Sequence, residues 1–242
     1  MSTPEFKNLL CTYGAAAFDK QIQLSDLIAN RSFQVDLNQR HIEFCGGDSL
    51  TIPIRLLGTE SDGDSTWLWS WANSASNLPE NLVRAAVRLR QIGKNAAISE
   101  FVDPKLSVVH GPVGEEIDGH RIAMIASGLE EADTYYRAPY TGGAAFLLLQ
   151  DPFNLKGKPY SSLSPVPLNT IANRFPQFIS AIAVPDHWTA FVSYLKFYRV
   201  DHTVEDGQVV ARSGKSQLTA EFDELHRLKR IQGKLQSDKE LH

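Results

Sequence analysis

The stretch Thr66-Trp67-Leu68-Trp69-Ser70-Trp71-Ala72-Asn73 holds three of the chain's four tryptophans at alternate positions. On an extended strand alternate side chains share a face, so Trp67, Trp69 and Trp71 are expected to project together. Such a row has two readings. It forms a platform on which planar rings stack at ~1–3 kcal/mol per base, or it fills a core, each ring burying on the order of 150–250 Å². The helices that flank the stretch need an apolar face, which favours burial for at least two of the three. Trp71 and Asn73, nearest the strand's end, are left as the residues that reach a cleft.

Upstream, the pattern is a helix followed by an antiparallel meander. Residues 4–30 carry Phe6, Leu9, Leu10, Tyr13, Ala17, Leu24, Leu27 and Ile28 at spacings of mostly three and four, with Asn30 as the stop and Cys11 as an inert residue within the helix. Phe33, Val35 and Leu37 then alternate with polar residues, Asn38-Gln39-Arg40 turns the chain, and Ile42 and Phe44 resume the alternation. Residues 50–59 set Ile52, Ile54 and Leu56 on one face, and Pro53, which cannot donate to a ladder, signals an edge or bulged portion. The turn Ser61-Asp62-Gly63-Asp64 leads into the tryptophan stretch, giving four sequential strands.

Downstream, Asn77, Leu78 and Pro79 open a helix that runs to about residue 93, with Leu82, Ala86 and Leu89 as its buried row. Its exposed side pairs Arg84 with Arg88 and Arg90 with Lys94, like charges four residues apart. Short pieces broken by Pro104, Gly111, Pro112 and Gly114 precede a helix over 117–129. A strand over 133–140, the turn Thr141-Gly142-Gly143, and the apolar run Ala144-Ala145-Phe146-Leu147-Leu148-Leu149 make a second hairpin, its last strand central and covered on both faces. The prolines at 152, 159, 165 and 167 mark 151–167 as a linker or long loop. That divides the chain into an α+β core, 1–150, and a helical extension, 168–242, docked on it. The extension comprises an antiparallel pair of helices over 168–183 and 186–199, the second capped by Asp186. A small hairpin follows around Asp206-Gly207. A last helix over 218–235 rests on the row Leu218, Phe222, Leu225 and Leu228 and on an acidic start and basic end that complement the helix dipole. The fold class is α+β: an antiparallel sheet packed by helices, with a helical C-terminal region.

The totals narrow the possible functions. A 242-residue chain with 43% hydrophobic residues buries a real core, and a formal net charge of −4 offers no global field for nucleic acid or anionic lipid. Two cysteines, Cys11 and Cys45, make no disulfide framework. The amino terminus lacks a basic segment leading into an apolar run, and no stretch nears the ~18 apolar residues of a membrane span. A cytoplasmic protein with no membrane association is expected.

Taken together, residues 66–73, the nearby Leu78-Pro79, and Tyr135-Tyr136-Arg137-Ala138-Pro139-Tyr140 with Gly142-Gly143 resemble a bacterial family of unknown function over roughly residues 5–150. In that family the Leu-Pro pair follows the strand more closely; here Ser74-Ala75-Ser76-Asn77 lengthens the connection. The resemblance implies a bacterial origin and an atypical extension at 151–242. It implies no activity, cofactor or catalytic residue.

Chemistry must therefore be sought in local clusters. Tyr135-Tyr136-Arg137 with Tyr140 and the Gly-Gly turn offers phenols, a guanidinium and backbone amides suited to an anionic or planar ligand, or else a half-buried hairpin with amphipathic rings. The basic helix is either an anion-binding face or a solvated one. Ser213-Gly214-Lys215-Ser216 lacks the glycine that a phosphate loop requires, since Val209 holds that place, and reads as a turn whose Ser216 caps the last helix. His41 and Cys45 share a strand face, yet two ligands make no zinc site. Asp186-His187 and Asp201-His202 are adjacent pairs that point apart and have no nucleophile elbow to serve. The candidate ligand residues are Trp71, Asn73, Arg84, Arg88, Tyr136, Arg137 and Tyr140, with no catalytic residue, metal or cofactor. The leading expectation is a non-enzymatic binding protein that neutralises or senses a partner, either another protein or a small anion. The alternative is an enzyme acting on a small phosphate- or carboxylate-bearing substrate. Nucleic-acid binding through Arg84, Arg88, Arg90 and Lys94 comes third, because the net charge opposes it.

Overall fold

Thr3 opens the first helix, α1 (Pro4–Ile28): its hydroxyl accepts the Phe6 amide at 3.2 Å, and Pro4 sits in the first turn, where a missing donor costs nothing. The structure, a computed structural model, describes residues 2–109, 117–150, 152 and 166–234. After α1, strands β1 (Ser32–Asp36), β2 (His41–Cys45), β3 (Leu50–Ser61) and β4 (Thr66–Trp69) form the expected antiparallel meander, and β5 (Lys105–Ser107) extends it beyond β4. The hairpin β6 (Thr134–Tyr140) and β7 (Gly143–Leu149) joins the same sheet where β7 pairs with β3. β7 is thus paired along both edges. Its apolar run is covered on both faces: Ala144, Phe146 and Leu148 enter one core, and Leu147 and Leu149 the other.

A bulge in β3 decides what faces what. Up to Leu56 the even-numbered residues Ile52, Ile54 and Leu56 point to the smaller core, with Ile42, Phe44 and Leu147. The register with β7 shifts between Leu56 and Gly58, four residues past Pro53. Leu57, the extra residue, is buried in the larger core, and beyond it the even positions change sides. Glu60 is opposite Ala144 and Trp67, both in the larger core. One inserted residue has moved Glu60 from the face of Ile52 to the face covered by helices.

The tryptophan strand ends sooner than its alternation predicts. Trp67 and Trp69 share a face and are both 0% exposed, their rings edge to face at 5.3 Å. Trp69 Nε1 donates to the Glu100 carbonyl at 3.0 Å. Gly58 sits beneath them, where a Cβ would come within 2.5 Å of the Leu68 carbonyl oxygen and 2.6 Å of the Trp67 ring. At Ser70 the chain leaves the strand for a short 3-10 turn (Ser70–Ala72), and the Ser70 hydroxyl donates to the Leu56 carbonyl at 2.8 Å. Trp71 therefore does not continue the row.

Helices α2 (Glu80–Ala96), α3 (Ser99–Val102) and α4 (Gly119–Leu129) lie in the core region, and α5 (Leu168–Ala181) and α6 (His187–Phe197) follow it. The Phe175 ring of α5 meets Phe191 of α6 at 4.9 Å, and one continuous core takes in Phe6 and Leu10 of α1, Ile122 and Ile125 of α4, and these two rings. The linker expected over 151–167 falls almost wholly on residues 151 and 153–165, outside the described residues, as do residues 110–116. The last helix is overturned. β8 (Asp201–Glu205), β9 (Gln208–Ser213), β10 (Ser216–Phe222) and β11 (Leu228–Lys234) form a second, four-stranded antiparallel sheet. Leu218, Ala220 and Phe222 are buried at a period of two, and Leu218 with Phe222 fits that period as well as a helical one. Leu225, assigned to the helix's buried row, is 67% exposed in a tight turn whose Asp223 carboxylate accepts the Leu225 and Arg227 amides. The acid-then-base order serves cross-strand pairing instead, with Glu221 opposite Arg230. Ser216 begins β10 and caps no helix, and Gly214, at φ 57°, makes the β9–β10 turn.

Candidate functional site

Three elements bring titratable side chains to one end of a cavity of about 490 Å³. From β3, past the bulge, comes Glu60, only 2% exposed. From the start of α4 come Asp118 and His120. Asp118 caps the helix, its Oδ1 accepting the Arg121 amide at 2.7 Å while its Oδ2 pairs with the Arg121 guanidinium. From β6, by strict alternation, come Tyr135 and Arg137. Phe18 and Gln21 of α1, Met124 of α4, and Ala181 and Ile182 at the end of α5 complete the wall, which is chiefly apolar.

The carboxylate of Glu60 is held at both oxygens. Oε1 accepts the Gly119 amide at 2.6 Å, and Oε2 lies 3.6 Å from Arg137 Nε. The amide can approach because residue 119 has no side chain: a Cβ there would come within 2.6 Å of Glu60 Oε1 and 2.5 Å of Phe146 Cζ. The carboxylate thus sits on the amino end of α4, where the free N–H groups and the helix dipole favour negative charge. Arg137 also stands 3.8 Å from Asp62 Oδ1; both of its ion pairs are long.

His120 Nδ1 is 3.1 Å from the Tyr135 hydroxyl. Either the phenol donates to Nδ1 and the proton sits on Nε2, or the imidazole donates and Nε2 is left as an acceptor. Aromatic edges hold the ring, with Tyr135 at 5.9 Å and Phe146 at 5.4 Å between centroids. Burial pulls the His120 pKa below 6.5; the Asp118 and Glu60 carboxylates oppose that shift, and the Arg137 and Arg121 guanidiniums reinforce it. The imidazole is therefore neutral near pH 7. Burial raises the Tyr135 phenol well above its ordinary range, with Asp118 and Glu60 adding to the effect, so it remains protonated. Asp118 and Glu60 face Arg121 and Arg137, which leaves the cavity near electrical neutrality. Its polar end offers a fixed carboxylate, a guanidinium and a neutral imidazole that can take or give a proton.

Of the candidate ligand residues Trp71, Asn73, Arg84, Arg88, Tyr136, Arg137 and Tyr140, only Arg137 lines this cavity, although Tyr135 of the same cluster does too. Tyr136 faces the other core, edge to face with Phe33 and Phe44. Tyr140 is 52% exposed and its hydroxyl lies 3.5 Å from the Glu60 carbonyl. Trp71 is half-buried beneath the Arg90 guanidinium, 4.0 Å from its ring centroid. Asn73 accepts a hydrogen bond from Ser76 in the loop that follows. Arg88 pairs with Glu130 at 3.4 Å, and Arg84 lines a separate groove. Asp186 caps α6, as expected, and His187 accepts the Leu228 amide at 3.1 Å. Burial pushes the Cys11 thiol up to about 11. Among the described residues, no three His, Cys, Asp or Glu side chains are grouped to hold a metal ion, and no helix is long and apolar enough to cross a membrane.

Glu60, Asp118, Gly119 and His120 are the site residues that sequence reasoning missed, and Tyr135, named in the tyrosine cluster, was passed over as a candidate in favour of Tyr136. One signal was present: alternation joins Arg137 to Tyr135, not to Tyr136. A family model, described as a family of unknown function (DUF6882), matches residues 7–152, close to the span of the resemblance. No curated protein and no solved structure matches the chain.

Proposed function

We propose that the chain, which belongs to that family of unknown function, is a small-molecule-binding protein whose ligand occupies the cavity between α1, α4 and the sheet. The observation that carries this reading is the convergence of Glu60, His120 and Arg137 from three elements onto one end of an apolar cavity of about 490 Å³. Ligand sites of ~300–1,000 Å³ have this build, with apolar walls and a few convergent polar groups. Opposite charges balance within the site, so the fitting ligand carries no large net charge. An apolar body lies against Phe18, Met124 and Ile182, and a head group with both a donor and an acceptor meets Glu60 and Arg137. This keeps the non-enzymatic binding class reached from sequence and makes the partner a small molecule. We take the host to be bacterial and the compartment cytoplasmic, from the sequence reading.

Equilibrium dialysis of the protein against a small-molecule extract of bacterial cytoplasm, read by mass spectrometry, tests the proposal. Wild type should enrich a compound that Met124→Trp, which fills the cavity, does not. Enrichment by neither protein, or equal enrichment by both, would overturn it.

A second reading is favoured by one observation, the neutral His120 next to a fixed carboxylate: the site performs acid–base chemistry on what it binds. The same dialysis separates the two readings. A binding protein returns the compound unchanged, whereas an enzyme consumes it and His120→Asn stops the consumption while leaving the compound bound.

A further inference from the structure

A second concavity, sharing with the first only strand β3 and none of its lining residues, is lined with arginine. It has a volume of about 580 Å³ and runs between the β1–β2 turn, the first half of β3 and the start of α2. Arg40 enters it from the turn, where φ is 58° and the Arg40 carbonyl accepts the Ile54 amide at 2.9 Å. Arg55 enters from β3 and Arg84 from α2. His41, Asn81 and Gln150 add further polar side chains, and among the described residues lining the groove there is no carboxylate.

Arg55 is 8% exposed, and its guanidinium is held by Glu130, with Nη1 on the carboxylate at 2.9 Å and Nη2 on the carbonyl at 3.1 Å. The same carboxylate also answers Arg88. Glu130 is thus spent on two guanidiniums, and among the described residues Arg40 and Arg84 have no carboxylate within ion-pair distance. Arg55 Nε is buried without a hydrogen-bond partner among the described residues. A buried guanidinium normally has its donors met, and like charges brought together in a groove repel unless an anion lies between them. The chain as a whole is acidic. Four guanidiniums, those of Arg40, Arg55, Arg84 and Arg88, against the one Glu130 carboxylate leave a local excess of positive charge, which points to the groove's own ligand and not to general attraction for polyanions.

We propose that this groove binds the phosphoryl group of a small molecule. Arg40 and Arg84, which line the groove without a carboxylate partner among the described residues, match a phosphate monoester, which carries about −1.5 to −2 at pH 7. The guanidinium forks of Arg40 and Arg84 suit its tetrahedral oxygens, and Arg55, locked by Glu130, forms the floor. Asn81 and Gln150 supply amide donors for the remaining oxygens. The site is independent of the α1–α4 cavity.

Titration calorimetry of the full chain with inorganic pyrophosphate, at physiological ionic strength, tests the assignment. Wild type should bind one equivalent saturably, and Arg40→Gln and Arg84→Gln, both at exposed positions, should each weaken binding by roughly tenfold or more through loss of a charge-assisted hydrogen bond. Arg84→Lys should weaken it as well, because an ammonium cannot reproduce the fork. Met124→Trp should leave it unchanged, which separates this site from the cavity. No saturable binding at millimolar pyrophosphate would overturn the proposal. So would binding indifferent to both glutamine variants, or succinate binding as tightly as pyrophosphate. A short single-stranded oligonucleotide that binds more tightly than pyrophosphate, with a steep salt dependence, would replace the proposal with a nucleic-acid site.

Discussion

Replacing Gly119 by alanine adds one methyl group at the point where α4 meets β3 and β7. An ideal Cβ there lies 2.6 Å from Glu60 Oε1 and 2.5 Å from Phe146 Cζ. Neither neighbour can retreat cheaply. Glu60 is tied to the helix amide and to Arg137, and the Phe146 ring is packed against Trp67 at 5.3 Å, His120 at 5.4 Å and Tyr135 at 6.4 Å. Overpacking a filled site costs about 1–3 kcal/mol. Alanine's better helix propensity returns up to ~1 kcal/mol, less in a first turn. A net loss of about 1–2 kcal/mol lowers the melting temperature of a chain this size by about 2–8 °C. Calorimetry or circular dichroism melting measures it, and Phe146→Leu in the same chain should recover part of the loss, giving less than additive costs. A Gly119→Ala protein as stable as wild type or more so would refute the packing described, because helix propensity alone would then have decided the outcome.

Three further outcomes follow from the electrostatics. With His120 titrating below 6.5 in the folded chain, its contribution to stability is complete above that pH and is lost as pH falls toward the lowered value. Arg137→Gln removes a charge that helps depress it, so the His120 pKa, read from imidazole NMR shifts, should rise; no change or a fall would contradict the assignment. Lys20, whose ammonium donates to the Ala132 carbonyl at 3.3 Å, is pulled down by burial from 10.5 to about 8. Between those values the unfolded chain holds a proton that the folded chain has released, so urea stability should gain from rising pH in wild type relative to Lys20→Met; equal slopes would refute it. Arg90→Ala uncovers Trp71 and removes a cation–π contact worth about 0.5–1 kcal/mol. Tryptophan emission should shift to the red, and an unshifted spectrum would mean that Arg90 does not cover the ring.

Local regularity was legible wherever one period held throughout an element. The alternation of Trp67 and Trp69, the unbroken apolar run of β7, and the cap Asp186 follow from side-chain geometry and backbone hydrogen bonding, and the structure bears out the elements drawn from them. Reading failed where a single residue changed the period. Leu57 inserts itself into β3 and turns Glu60 to the helix face, an event with no mark in the sequence beyond Pro53 some residues earlier. Ser70 ends the tryptophan strand through a hydrogen bond to a distant carbonyl, which no local pattern announces. Leu218 and Phe222, four apart, satisfy both a helix and a strand, and the position between them that decides is Ala220, too small to weigh in a hydrophobic count. The cavity was the least legible part. Its members are scattered from Phe18 to Ile182 along the chain, and the contact that fixes it, a carboxylate on the amino end of a helix, exists only once the sheet has formed.

The most direct test of the cavity as a ligand site is the NMR signal of the His120 imidazole during titration with the compound that the wild-type protein retains. The His120 resonances should shift and saturate with ligand, while those of His41, His187 and His202, which lie outside the cavity, stay in place. Saturable binding that leaves His120 unmoved would contradict the cavity as the ligand site.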